Sequence, residues 1–351
     1  MIRIGVLGCG RVVQNRYVDV FRNELRGAVV TRVCDPARHK ADAVAGLLGC
    51  AAVYDEDALF GASDVDVVLV CTESGKHHGH TRKALEAGRH VITEKPPTLL
   101  PEQVAELEAL ARDKGRMYAV IFQNRYNPAM RALKDAFDRG RFGKVVLATM
   151  RLRWCRYQDY YEDGWHGTWA MDGGVINQQA IHHADALQWV CGEIESVCAD
   201  TGNLLNSLEA EDTMTALARF RSGAKGIIEA TTAARPEDFE ASISVVGERG
   251  YVMIGGIALN KVQTWRFLDP EPGDEQAPAR FSQEVPTGYG LSHGPLMQDI
   301  VDRLARGELR PPISGADSLP VVRLVQALYR SDETRCWVSL DDDPRSARLG
   351  R

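Results

Sequence analysis

Apolar positions in the first third of the chain follow two alternating rhythms. Short β-branched runs at Ile2–Leu7, Val29–Cys34, Val65–Cys71, His90–Thr93 and Met117–Phe122 predict strands. Between them the spacing is helical: Val13, Tyr17, Val20 and Phe21 fall at i, i+4, i+7 and i+8, and His77, Thr81, Ala84, Leu85 and Gly88 repeat the pattern. Strands alternating with one-faced helices predict a parallel sheet in an α/β fold. After Asn127-Pro128 the rhythm becomes period two, over Lys144–Tyr157, Ile194–Leu205, Thr213–Phe220, Lys225–Thr232 and Ser242–Val246. That pattern predicts a second, largely antiparallel sheet. Helices are expected at Met130–Arg139, Val175–Val190, Pro295–Ala305 and Leu319–Tyr329. The change of rhythm divides the chain into residues 1–122, residues 123–340 and a polar tail over 341–351.

A chain of 351 residues suits two domains. Hydrophobic residues make up 44% and charged residues 26%, a globular composition with no room for a long disordered arm. Lys plus Arg number 42 against 48 Asp plus Glu, so no net field favours a nucleic acid. The eight cysteines are scattered, without a C-x-x-C pair, and read as reduced core residues. The N-terminus runs straight into a strand and no apolar run reaches bilayer length, which predicts a cytoplasmic protein with no membrane partner.

Chemistry enters at Gly8-Cys9-Gly10-Arg11-Val12-Val13, between the first strand and the first helix. Glycines there allow a sharp turn and let a pyrophosphate reach the N–H groups and positive dipole end of the helix, as in a Rossmann dinucleotide site. Val13 stands where a third glycine or alanine is usual. Asp35 ends the second strand, where a carboxylate accepts hydrogen bonds from the adenosine ribose and repels a 2′-phosphate, so NAD is expected over NADP. Its other use is to cap the helix after Pro36. Lys95, in Thr93-Glu94-Lys95-Pro96-Pro97, follows a parallel strand and so faces the ligand crevice, where a desolvated lysine can act as acid or base; a solvated loop lysine is the alternative. In the second region, Gln178, His182 and Asp185 fall at i, i+4 and i+7 of one predicted helix. This polar stripe is either a proton-transfer site or a satisfied core network. Adjacent His182 and His183 point about 100° apart on a helix and make poor joint metal ligands, so no metal is expected.

These segments, with Thr72-Glu73-Ser74-Gly75-Lys76-His77 and Ala87–Pro96, stand in the order and spacing of the Gfo/Idh/MocA oxidoreductases, which the chain resembles from residue 1 to about 340. The resemblance implies an N-terminal Rossmann NAD-binding domain and a C-terminal α/β domain whose open-faced sheet supports a homo-oligomer, dimer or tetramer. The family's lysine falls on Lys95 and its catalytic histidine on His182; its usual aspartate four residues earlier falls on Gln178. The cofactor set implied is Gly8, Gly10, Arg11, Val12, Asp35, Thr72, Ser74, His77, Glu94, Lys95 and Asn124, with a structural role for His77 as the alternative.

A narrower resemblance rests on Gln123–Asn127, on Tyr160-Tyr161 to Trp169, on Asp172-Gly173-Gly174 and on Ala180–His182. These look like the UDP-N-acetylglucosaminuronate 3-dehydrogenases of the WlbA/WbpB type. Such enzymes oxidise the sugar C3 hydroxyl with NAD for bacterial surface polysaccharides and are known to recycle the cofactor with 2-oxoglutarate. The resemblance implies a nucleotide-sugar substrate met by Arg125, Tyr126, Trp165, Asn177, Gln178 and His182. His182 would be the base, oriented by the neutral Gln178 amide, and Lys95 would bind the same oxygen or share the base role. Arg151, Arg153 and Arg156 are further candidates for the diphosphate, with a sheet-edge or subunit contact as the alternative. Two other functions stay open: oxidation of another sugar, sugar nucleotide or inositol, and a non-catalytic NAD or sugar sensor.

Overall fold

The computed structural model describes residues 1–351. They group into two compact units: Met1–Phe122 with Leu291–Leu319, and Gln123–Gly290 with Pro320–Arg351. The region expected to run unbroken over 123–340 is thus interrupted by a segment that belongs to the first unit. Its helix His293–Ala305 buries Leu296, Met297, Ile300 and Val301.

The first unit is built on β1 (Ile2–Leu7), β2 (Ala28–Cys34), β3 (Ala51–Val53), β4 (Val67–Val70), β5 (His90–Thr93) and β6 (Tyr118–Val120). All pairings are parallel and the order is β3-β2-β1-β4-β5-β6. Val67 to Val70 are fully buried, as expected of a central strand covered on both faces. The order reverses between β1 and β4, so the ligand crevice lies off the carboxyl ends of these strands.

The first helix departs from regular α geometry. It contains two π-helical turns, Val13–Tyr17 and Val20–Glu24. The wider turns bury Val13, Arg16, Tyr17, Val18 and Val20 and leave Phe21 half-buried. Buried Arg16 is neutralised by Glu24, eight residues on, through Nη1–Oε1 at 2.5 Å and Nη2–Oε2 at 2.9 Å.

The second unit holds an eight-stranded sheet. Its strands are β7 (Val145–Arg153), β8 (Ile194–Gly202), β9 (Thr213–Phe220), β10 (Lys225–Thr231), β11 (Glu240–Gly247), β12 (Gly250–Gly255), β13 (Lys261–Phe267) and β14 (Val338–Ser339). The order is β13-β12-β11-β7-β10-β9-β8-β14, antiparallel except for the central β7–β10 pair. One face, with Met150, Leu152, Ile228, Ala230 and Ile243, is fully buried, and the helix Ile181–Cys191 packs on β7 and β11. The other face is open and leaves Leu217, Ile227 and Trp337 exposed.

The expected polar tail is docked rather than loose. Leu349 is fully buried, Gly350 N donates to Trp169 O at 2.8 Å, and Arg348 Nη2 donates to Asp332 Oδ2 at 2.8 Å. No helix is long and apolar enough to cross a membrane. No group of three or more His, Cys, Asp or Glu is arranged to hold a metal, and all eight cysteines are free.

Candidate functional site

Four loops of the first unit leave the carboxyl ends of neighbouring parallel strands. After β1, Gly8 takes φ +92°, and a Cβ there would meet Cys71 O at 2.5 Å. Only glycine fits. Gly10 differs: its φ is not positive and a Cβ would meet nothing within 4 Å. Nothing in the chain itself calls for glycine at position 10, and the open space over the backbone at the start of the Arg11 helix suits a pyrophosphate. Exposed Arg11 and half-buried Val12 open that helix.

Asp35, at the end of β2, is 9% exposed and serves the protein first. Its Oδ2 accepts from Cys9 N and its Oδ1 from Ala37 N, both at 2.9 Å. The carboxylate therefore ties the glycine turn to the start of the next helix, and its remaining lone pairs can serve ribose hydroxyls.

Beyond β4 and β5, His77 joins two of the expected cofactor loops. Its Nδ1 is 2.7 Å from Pro96 O and its Nε2 2.9 Å from Thr72 O. Burial pushes the imidazole down to about 4 against the pull of both carbonyls, so at neutral pH the ring carries one proton, donated to one of the two. His77 is thus a clamp between the Thr72 loop and the Lys95-Pro96 turn, whose peptide is cis. Thr72 Oγ1 is held 2.9 Å from His80 Nδ1, and Ser74 is buried. Lys95 is half-buried, whereas the neighbouring Glu94 is 5% exposed and turned inward. Tyr17 donates its hydroxyl to Glu94 Oε1 at 2.7 Å, and Lys95 N donates to Glu94 Oε2 at 3.1 Å. The Glu94 carboxyl is thus committed within the chain through one bond to each oxygen, as that of Asp35 is, and like it keeps lone pairs for a further donor.

In the second unit the expected continuous helix is broken. One turn spans Val175–Gln178, and a new helix, Ile181–Cys191, begins after Gln179 and Ala180. The stripe is therefore shared by two segments: Gln178 ends the first, and His182 and Asp185 lie in the second. Gln178 and His182 are both buried, at 7% and 8% exposure. Asp185 is engaged elsewhere, accepting from Arg125 Nε at 2.8 Å and Nη2 at 2.6 Å. For Asp185 the satisfied-network alternative holds, and Arg125, expected at the substrate, is ion-paired within the chain.

The lead-in to the broken helix is built on Glu211, which the sequence reading did not single out. Its main-chain oxygen accepts from Val175 N at 2.9 Å, and its Oε1 accepts from Ile176 N and from Tyr329 OH, each at 3.1 Å. Tyr329 OH in turn accepts from Gly174 N at 2.9 Å. A Cβ on Gly174 would meet Glu211 at 2.2 Å, which explains the glycine. Burial pushes the Glu211 carboxyl up to about 8, so it is protonated at neutral pH.

The other expected substrate residues are also locally engaged. Asn177 Nδ2 donates to Asp172 O at 2.6 Å. Trp165 stacks on His166 with ring centroids 3.6 Å apart, and the Arg131 guanidinium lies 4.0 Å over the Tyr126 ring. Asn124 is buried on a 3-10 turn spanning Gln123–Tyr126. The three arginines considered for a diphosphate are ion-paired as well. Arg153 meets Glu229 at 2.5 Å and Glu240 at 3.0 Å, Arg151 meets Glu229 at 3.5 Å, and Arg156 meets Asp238 at 2.9 Å. Met150 and Leu152 face the buried side of β7, so Arg151 and Arg153 stand on its open face.

Residues 2–122 match the oxidoreductase family NAD-binding Rossmann fold, and residues 130–253 match the GFO/IDH/MocA C-terminal domain. A solved WlbA dehydrogenase from Bordetella pertussis, in complex with NADH and UDP-GlcNAcA, is 31% identical with a TM-score of 0.89, over 96% of this chain and 97% of that one. The chain belongs to the Gfo/Idh/MocA oxidoreductase family. As a member it is an NAD-dependent oxidoreductase of the sugar and polyol dehydrogenase group, with the cofactor domain at its N-terminus. The WlbA dehydrogenase from Chromobacterium violaceum, also solved with NADH and UDP-GlcNAcA, is 33% identical with a TM-score of 0.88, over 96% and 95% of the two chains. Other family members act on unlinked polyols and glycosides. Inositol 2-dehydrogenase of Rhizobium meliloti is 26% identical over 97% of this chain and 99% of its own. D-glucoside 3-dehydrogenase of Escherichia coli is 34% identical, the match spanning 54% of each chain.

Proposed function

We propose that this family member oxidises the C3 hydroxyl of UDP-N-acetylglucosaminuronate to the 3-keto sugar with NAD. The observation that carries the reading is the likeness, over 96% of the chain, to a dehydrogenase solved with NADH and UDP-GlcNAcA. In this reading Gly8, Gly10, Arg11, Val12, Asp35, Thr72, Ser74 and Asn124 hold NAD, and His77 keeps the Thr72 and Lys95 loops in register. Bound NAD supplies the hydride acceptor. An imidazole nitrogen of His182 takes the C3 hydroxyl proton, and Gln178 orients the ring without adding charge. Lys95 donates a hydrogen bond to the same oxygen and stabilises its developing negative charge. Tyr126, Trp165 and Asn177 flank the sugar nucleotide.

The test is incubation of the purified protein with UDP-N-acetylglucosaminuronate, NAD and 2-oxoglutarate, with mass analysis for a 3-keto product. Lys95→Met and His182→Asn should each lower turnover by roughly 100-fold or more while NAD affinity stays near normal. Near-normal turnover in either variant removes that residue from the mechanism.

A second reading has its own support. Arg125, Arg151, Arg153 and Arg156 are all paired with carboxylates, a state that suits a neutral polyol better than a diphosphate. Oxidation of free inositol or a glycoside, with no turnover of the UDP-sugar, replaces the first reading with this one. We also propose a cytoplasmic homo-oligomer whose open sheet faces pair, because Leu217, Ile227 and Trp337 form an exposed apolar patch there. Leu217→Arg should then lower the mass seen by sedimentation; an unchanged mass rejects that surface.

A further inference from the structure

We propose that Tyr17 is a positioning residue for Lys95, acting through Glu94 and backed by His293. The proposal rests on the reading of Lys95 as an acting group. Glu94 directly precedes Lys95 at the end of β5, and its carboxyl spans two partners: Oε1 takes the Tyr17 hydroxyl at 2.7 Å and Oε2 the Lys95 N–H at 3.1 Å. The Lys95 main chain is thereby tied to the helix that opens at the glycine turn. Tyr17 is fully buried, so its hydroxyl has a fixed place.

His293 supports that ring from the far end of the sequence. It meets Tyr17 edge-on, with centroids 5.4 Å apart at 84°, and its Nε2 is 3.8 Å from Glu94 Oε1. The segment carrying it is locked as well. Arg16 Nη2 donates to Leu291 O at 3.0 Å, and a Cβ on Gly294 would fall 1.8 Å from Glu24 Oε2. A tyrosine needed only for bulk would not require its hydroxyl on the carboxyl that brackets Lys95.

The titratable and charged groups that act on Glu94 are Lys95 on its own turn, Tyr17 on the first helix, Cys71 just past β4, and His293, while Arg16 acts on Tyr17 and His293. Burial raises the Glu94 carboxyl, and Lys95 and the Tyr17 bond pull it back. Burial, with Arg16 and Lys95, pushes His293 down to about 3, and burial pushes Tyr17 and Cys71 well up, so these three stay neutral. Loss of the Tyr17 hydroxyl removes one of the two bonds that hold the Glu94 carboxyl, and with it the fixed placing of that carboxyl beside Lys95.

The test is an NMR titration of the full chain with NAD bound, carrying lysines labelled with 13C at Cε, with the Lys95 signal identified by its loss in Lys95→Met. Glu94→Gln should lower the Lys95 midpoint by about one pH unit. Tyr17→Phe should lower it by a smaller, measurable amount, with NAD affinity within about twofold of normal. A Tyr17→Phe protein whose melting temperature falls but whose Lys95 midpoint does not move assigns Tyr17 to packing alone and overturns the proposal. So does an unmoved midpoint in folded Glu94→Gln. The titration needs no sugar, so its failure is distinct from failure of the proposed reaction, which the turnover of Lys95→Met reads.

Discussion

The glycine turn allows its two roles, shaping the chain and admitting the cofactor, to be separated by one methyl group at each of two positions. Gly8→Ala places a Cβ 2.5 Å from Cys71 O and 2.7 Å from its carbonyl carbon, on backbone one residue past β4 that is held by the 2.7 Å bond from Cys71 N to Leu7 O. The φ of +92° adds strain for any residue with a Cβ. A left-handed backbone costs about 1–2 kcal/mol and overpacking about 1–3 kcal/mol, so the sum is about 2–5 kcal/mol. At roughly 2–4 °C per kcal/mol for a unit of this size, the melting temperature should fall on the order of 4–20 °C. Gly10→Ala meets nothing within 4 Å at a φ that alanine accepts, so the apo protein should be unchanged or slightly more stable. If the pyrophosphate takes that open space, as proposed, the methyl group should weaken NAD binding roughly 10-fold or more. Thermal unfolding without cofactor and titration of NAD by quenching of protein fluorescence separate the two effects. Wild-type NAD affinity in Gly10→Ala would remove the pyrophosphate from that space, and an unaltered melting temperature in Gly8→Ala would show that the turn tolerates a Cβ.

Three further predictions follow from the same geometry. Asp35→Ala should narrow the preference for NAD over NADP and loosen the glycine turn through loss of the Cys9 bond; equal affinities in the unmodified protein, read by calorimetry, would remove the ribose role. Glu211 is protonated in the fold up to about pH 8 but ionises near 4.3 when unfolded, so its contribution is full below about pH 4 and is lost as pH rises to about 8. Chemical denaturation of Glu211→Gln should lack that decline and be more stable than the parent at pH 9 by a few kcal/mol; parallel pH curves would reject the assignment. Asp185→Asn leaves the Arg125 guanidinium, 12% exposed, without its carboxylate and should cost about 3 kcal/mol, much of it recovered when Arg125→Met is added; additive losses in the double-mutant cycle would show that the pair is uncoupled.

How much of this was legible in the sequence depends on the range of the interactions. The ends of β1 and β5 follow from short continuous apolar runs bounded by turn residues, as strands covered on both faces require, and those of β9 from strict alternation, because one face of its sheet is buried. β3 is three residues long, and β13, at the sheet edge, shows no clean alternation of burial, so neither left a readable signal. The break after Gln178 carries no Gly or Pro: Gln179 and Ala180 keep right-handed helical dihedrals, and only the hydrogen-bond ladder is interrupted. An apolar helical stripe reveals that a helix packs but not on what, so the return of Leu291–Leu319 to the first unit was hidden. The loops bearing Lys95 and Asp35 were legible because strand ends in a parallel sheet face a crevice by construction. The partners of the arginines were not, since Asp185 is 60 residues from Arg125 and Glu240 is 87 from Arg153. Tyr17 read as a core residue, and only the fold brings its hydroxyl to Glu94, 77 residues away. For Glu211 and His293 no local pattern existed to find them.

The most direct test of the proposed reaction is to follow the hydrogen itself. UDP-N-acetylglucosaminuronate deuterated at C3 is incubated with NAD and stoichiometric protein, and the reduced cofactor is analysed by mass and proton NMR. Hydride transfer from C3 should leave one deuterium on the nicotinamide of the NADH formed, matched by one 3-keto sugar, with both products lost together in His182→Asn. Unlabelled NADH, or deuterium transfer from C3-labelled free sugar or labelled inositol but not from the UDP-linked acid, would contradict it.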